Sequence, residues 1–202
     1  MPVCRSASSR LLLIRHGRTT ANVDRLLDTA YPGASLDELG RAQAEDLVAR
    51  LSGESIEAIY VSDLVRTAQT ADPLARARGI EPVTLAGLRE IQAGEYELSA
   101  DWGPFVQAVS SWWTETPVAV PGGDSREGFL SRFDAAVATA ARHETAVVVT
   151  HGAALRTWVG LRCPGLPPEL VAAGSIPNTM VAVVEGAPET GWTLRSWGDQ
   201  AF

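Results

Sequence analysis

The chain reads as an α/β fold. A mostly parallel central sheet is flanked by helices in a three-layer sandwich, with a small helical cap over the carboxyl edge. Three observations predict this. Short apolar, β-branched runs alternate with amphipathic stretches, the pattern of strand–helix–strand units. Two of those runs, Leu11-Leu12-Leu13-Ile14 and Val147-Val148-Val149-Thr150, lead into His-Gly pairs at 16–17 and 151–152. Two such strands can lie side by side in a parallel sheet, and open α/β sheets place ligands at the carboxyl edge. The stretch 91–125 breaks the alternation and is rich in aromatic residues.

The elements follow in order. Residues 11–15 form the first strand. Tyr31-Pro32-Gly33 leads to a helix over 37–51, with Leu39, Leu47, Val48 and Leu51 as its apolar stripe. A second strand over 57–61 precedes a helix over 63–78, which Ser62 or Asp63 would cap. Pro82-Val83-Thr84 is a short third strand. A helix over 126–143 presents Phe129, Phe133 and Val137 on one face. A strand over 146–150 and a helix over 153–162 come next. Residues 179–185 and 193–197 read as closing strands, antiparallel edges of the sheet. No repeat or linker interrupts the pattern, so residues 1–202 read as one domain with a sizeable core.

Composition narrows the function classes. A net charge of −7 argues against a nucleic-acid or anionic-membrane surface. Every basic residue is arginine, read as compositional bias and not as mechanism. Cys4 and Cys163 are too few and too scattered for a disulfide framework or a metal site. The histidines at 16, 143 and 151 lack zinc-type spacing, so neither metal nor cofactor is expected. The apolar run at 11–14 is too short for a signal core or a membrane span, and the expected location is a reduced cytoplasm.

The residue types at the two strand ends point to phosphate chemistry. Neutral imidazole is nucleophilic near pH 7, so a histidine can attack phosphorus and carry the phosphoryl group. The charge spread over the phosphoryl oxygens calls for fixed cations. Arg15 and Arg18 flank His16, and the arginine fork binds phosphate oxygens in pairs. Gly17 would let backbone approach the ligand, and Thr19 and Asn22 offer neutral hydrogen bonds. A lone histidine at a strand end more often just satisfies backbone groups. Two further features tip the balance. Arg66 falls in the first turn of its helix, a poor place for a cation and a good one for sharing an anion. Glu90 is a candidate proton donor for a leaving oxygen, against the alternative of a solvated loop glutamate.

Five segments in this order resemble the histidine phosphatase superfamily, the phosphoglycerate-mutase-like proteins, and specifically its phosphatase branch. They are Arg15-His16-Gly17 with Thr19 and Asn22, the helix start Leu36-Asp37-Glu38-Leu39-Gly40 with Gln43-Ala44, the stretch from Ser62 through Arg66 to Thr70-Ala71, Pro121-Gly122-Gly123-Asp124-Ser125, and His151-Gly152. The resemblance spans residues 11 to about 194. It implies that His16 is the phosphoryl acceptor. It also implies that Arg15, Arg66 and His151 bind the transferring phosphate, with Asn22 and Gly152 at the same site. Glu90 would donate the proton and then act as base toward water. The chain departs from the pattern at Glu97-Leu98, where many members have Glu-Gly, and at Leu27-Asp28, where many have a polar pair such as Gln-Gly.

The expected activity is that of a phosphomonoesterase, a metal-independent phosphatase of the histidine acid type acting on a small phosphorylated metabolite through phosphohistidine. The alternatives are a phosphoglycerate-type mutase and a silent phosphate-binding module. The expected partner is the phosphate ester alone, and a homodimer is compatible with the reading. Residues 91–125 would form the cap and face the substrate body with Tyr96 and Trp102, beside Arg18 and Thr19 from the first loop. The other reading of the cap aromatics is core packing. This segment has carboxylates but no arginine, so a second anionic group on the substrate is not expected to find a partner there.

Overall fold

The computed structural model describes residues 8–165 and 176–202, so Cys4 lies outside it. The described strands are β1 (Ser9–Arg15), β2 (Ala58–Val61), β3 (Val83–Thr84), β4 (Thr145–Thr150), β5 (Val181–Ala187), β6 (Gly191–Trp197) and β7 (Gln200–Ala201). They form one sheet in the order β3-β2-β4-β1-β5-β6-β7. The β3-β2-β4-β1 half is parallel, and β5, β6 and β7 add antiparallel strands. The last strands are antiparallel as expected. However, β5 is not an edge, because it pairs with β1 on one side and β6 on the other.

The helices are α1 (Thr20–Asp24), α2 (Glu38–Arg50), α3 (Val65–Arg78), α4 (Gly103–Ser110), α5 (Arg126–Ala140) and α6 (Gly152–Arg162). Strand side chains alternate between two apolar layers. Leu12, Ile14, Ile59, Val61, Val147 and Val149 meet Leu47 and Leu51 at the end of α2 and Ala71 and Leu74 of α3. Leu11, Leu13, Val148 and Val184 face Phe129, Phe133 and Val137 of α5 and Leu155 and Trp158 of α6. The core strands are therefore apolar on both faces, which is why β1 and β4 read as unbroken apolar runs.

Two local expectations change. Leu39 is exposed, and Ala44 takes its place in the buried stripe of α2, one turn before Leu47. Neither Ser62 nor Asp63 caps α3. Its N-cap is Leu64, without a side-chain cap bond, while Ser62 Oγ turns inward and Asp63 pairs with Arg89.

The cap is present over the carboxyl edge, built from α4 and two short 3₁₀ turns at Gly94–Tyr96 and Ser111–Trp113. Rings tie it to the body. Trp112 stacks near Phe129, Phe129 near Phe133, Phe133 near Trp158 and Trp158 near Trp192, with centroids 5.4–5.8 Å apart. Most cap aromatics are thus core, as helical aromatics usually are. Among the described residues no helix is long and apolar enough to cross a membrane.

Candidate active site

Register places the two histidines. Arg15 is the Cα partner of Thr150 in the β1–β4 ladder, and the next residues are His16 and His151. The His16 amide donates to the Thr150 carbonyl (3.0 Å), extending the ladder one step. The ring centroids of His16 and His151 stand 5.2 Å apart, and both rings are buried.

Hydrogen bonds set both tautomers. His16 Nδ1 lies 2.7 Å from the Gly17 carbonyl, which can only accept, so Nδ1 carries the proton and Nε2 keeps its lone pair. Burial holds the His16 pKa well below the ordinary histidine value, with Arg66 and Arg15 pushing the same way. The ring is therefore neutral at pH 7. The Arg66 Nε–H donates to His151 Nδ1 (3.2 Å), so the His151 proton sits on Nε2 and points to Ser62 Oγ (2.8 Å). Ser62 Oγ also accepts the Leu64 N–H and contacts Thr67 Oγ1. Burial, then the Arg66 charge, keep His151 neutral as well.

Arg15 and Arg66 converge on this pair. Both are largely desolvated, which lowers their pKa, opposed by Glu90 for Arg15 and first by Asp28 for Arg66. One Arg15 amino group donates to the Ile176 carbonyl, and its buried Nε–H has no partner. A buried donor without a partner is costly, and here it lies at the cleft where an anion would satisfy it. Gly152 packs against this guanidinium. A Cβ there would sit 3.2 Å from Arg15 Nε, a tight contact that would press on the guanidinium. Gly17 has a packing reason within the chain. Its missing Cβ clears the Gly40 carbonyl, 2.6 Å from the ideal Cβ position.

Glu90 is not a solvated loop residue. Its carboxylate accepts the Ala153 (3.0 Å) and Ala154 (2.7 Å) N–H groups at the start of α6, and its own neighbour Ile91 N–H (2.8 Å). Arg132 holds the same loop by donating to the Gly87, Arg89 and Glu90 carbonyls and pairing with Asp124. Asp124 in turn accepts the Gln92 N–H (2.9 Å), so the Pro-Gly-Gly-Asp segment serves to fix the Glu90 loop.

A cleft runs from this cluster toward the cap. It is lined by Arg15, His16, Thr19, Asn22, Arg66, Glu90 and Gly152, then by Leu26, Leu27, Asp28, Trp102, Phe105, Val106 and Arg156. Thr19 and Asn22 form a capping box on α1, and Asn178 donates to Asn22 Oδ1 (3.2 Å). The remaining Asn22 amide group is the donor that can serve the cleft. Trp102 is a wall residue, pinned by its Nε1–H to the Arg25 carbonyl (2.8 Å).

Two expected substrate-side residues stand elsewhere. Tyr96 is partly buried, packs against the main core and is not among the residues lining the cleft. Arg18 is tied to Asp37 (2.7 Å) and lines a neighbouring outer groove with Arg25 and Trp102. Three other residues escaped the sequence reading. Asp28 sits on Arg66, Ser62 on His151, and Arg156 enters the cleft from α6. Arg156 had a signal, since a helix beginning at Gly152 puts position 156 one turn further on the same face.

A model of the histidine phosphatase superfamily (branch 1) matches residues 11–200, and the chain belongs to that family. It is similar to a phosphoglycerate mutase-like protein of Arabidopsis thaliana, 31% identical over 95% of this chain and 85% of the relative. A PE-PGRS family protein of Mycobacterium tuberculosis is 34% identical over 91% of this chain. The match spans only 35% of that relative's length. Among solved structures, mycobacterial glucosyl-3-phosphoglycerate phosphatase superposes with a TM-score of 0.76. The two are 26% identical, over 95% of this chain and 99% of the other.

Proposed function

We propose that the chain is a phosphomonoesterase acting through a phosphohistidine on His16. The observation that carries this is the His16 ring itself: neutral, with Nδ1–H on the Gly17 carbonyl and Nε2 free to attack, beside Arg15 and Arg66. Nε2 forms a bond to phosphorus as the ester P–O bond breaks, and Glu90 gives its proton to the leaving oxygen. Water then attacks the phosphohistidine, Glu90 takes the water proton, the N–P bond breaks and phosphate leaves. The two arginines and Asn22 hold the phosphoryl oxygens through both steps, and His151, whose ring nitrogens are taken by Arg66 and Ser62, orients Arg66 from behind.

The cleft suits a small ester with an apolar or sugar-like body along Leu26, Leu27, Trp102, Phe105 and Val106. Residues 91–125 hold no arginine or lysine, but Arg156 lines the cleft from outside that segment. Arg156 arrives from α6 and feels the Glu90 charge in the same cleft. His16→Ala tests the reading. It should remove nearly all p-nitrophenyl phosphate hydrolysis while circular dichroism shows the fold retained, and substantial residual turnover would reject His16 as acceptor.

A further inference from the structure

Asp28 lines the cleft together with Arg15, His16 and Arg66. Its side chain is largely buried. Asp28 Oδ2 accepts Arg66 Nη1–H (3.2 Å), and the Asp28 carbonyl accepts Arg66 Nη2–H (2.7 Å). The third guanidinium nitrogen is on His151. Gly33 closes the remaining side, where a Cβ would stand 2.3 Å from Arg66 Nη1. Asp28 is itself anchored, because Oδ2 accepts the Ala34 N–H (2.7 Å). Every nitrogen of Arg66 is thus held before any phosphate arrives, and each Nη keeps one further hydrogen for an incoming oxygen.

We propose that Asp28 is a positioning residue of the phosphate site. It clamps the Arg66 fork in the orientation that receives the transferring phosphoryl group, and its negative charge weakens the grip on free phosphate. This rests on the phosphatase reading above. Two effects follow from the geometry. The clamp serves the transition state, since a misplaced guanidinium no longer meets the equatorial oxygens. The charge acts on the bound anion as a like charge in a desolvated cleft, which favours product release.

Binding of inorganic phosphate and of vanadate, a mimic of the five-coordinate phosphorus, separates these effects without requiring turnover. Asp28→Asn keeps an acceptor oxygen for Arg66 and Ala34 but loses the charge. It should bind phosphate roughly 3–10-fold more tightly by calorimetry. Asp28→Ala loses the clamp. Its kcat should fall on the order of 10–100-fold with KM changing less, and its preference for vanadate over phosphate should shrink. An Asp28→Ala protein with unchanged kcat and vanadate preference, or an Asp28→Asn protein that binds phosphate no more tightly, would overturn the proposal. If Asp28→Ala does not fold, Asp28→Glu displaces the carboxylate by one methylene and is read the same way. Absent hydrolysis by the parent protein would count against the phosphatase reading instead, leaving the binding comparison intact.

Discussion

Arg15 and Thr150 are register partners across the parallel β1–β4 pair, and this relationship assembles the site. The residues that follow, His16 and His151, leave the ladder together and bring their rings to 5.2 Å. A one-residue slip would turn one strand's side chains to the opposite face. Apolar packing on both sides of the sheet opposes that slip.

Stability should fall as acid is added below neutrality. His16 and His151 are neutral in the folded protein, with pKa values held well below the unfolded value of about 6.5. Below that pH the unfolded chain binds the protons and the folded one does not, so protonation pulls toward unfolding. The slope approaches about 1.4 kcal/mol per pH unit for each histidine until the folded pKa is reached. Urea midpoints at pH 7 and pH 5.5 measure this. The double variant His16→Gln, His151→Gln should flatten the dependence, and an equal slope in that variant would assign it to other groups.

Glu90→Gln should discriminate between leaving groups. The amide still accepts a backbone N–H at the start of α6, but it cannot deliver the proton. General acid catalysis contributes about 10²–10⁴-fold, most of it needed by basic alkoxides. Hydrolysis of an alkyl phosphate should therefore drop far more than that of p-nitrophenyl phosphate. Equal losses would move the proton to another group. Glu95 is exposed and outside the cleft, whereas Asp28 is the other carboxylate lining it among the described residues.

Arg156→Met should change substrate choice more than turnover. The comparison is kcat/KM for 3-phosphoglycerate, whose body is anionic, against glycerol 3-phosphate, whose body is neutral. The ratio should fall about 10-fold in the variant if the guanidinium meets the carboxylate, on the scale of one charged contact. An unchanged ratio with both rates lowered would instead make Arg156 a neighbour that serves Glu90, whose charge it feels.

Activity should persist in EDTA. The positive charge for phosphoryl transfer comes from Arg15 and Arg66, which hold their positions through protein hydrogen bonds. Activity that vanishes with chelator and returns with magnesium or zinc would show that a metal provides it.

Much of the fold was legible because local patterns carry it. Apolar runs marked β1 and β4, and the Phe129, Phe133, Val137 stripe marked α5. The His-Gly ends marked the carboxyl edge. Capping chemistry was less legible. Ser62 looks like a helix cap in sequence, yet its hydroxyl is drawn inward by His151, a partner 89 residues away.

By itself the sequence determined which segments are strands and helices, which faces are apolar, and which residue types stand at the strand ends. Periodicity and short-range sterics decide these, and both act between near neighbours in the chain. Only the tertiary structure decided that Asp28 clamps Arg66, that Arg132 and Asp124 brace the Glu90 loop, and that Arg156 enters the cleft while Tyr96 does not. Such pairings depend on how separate elements pack against one sheet. Their energies arise from desolvation and contact across space, which the order of residues in the chain does not record.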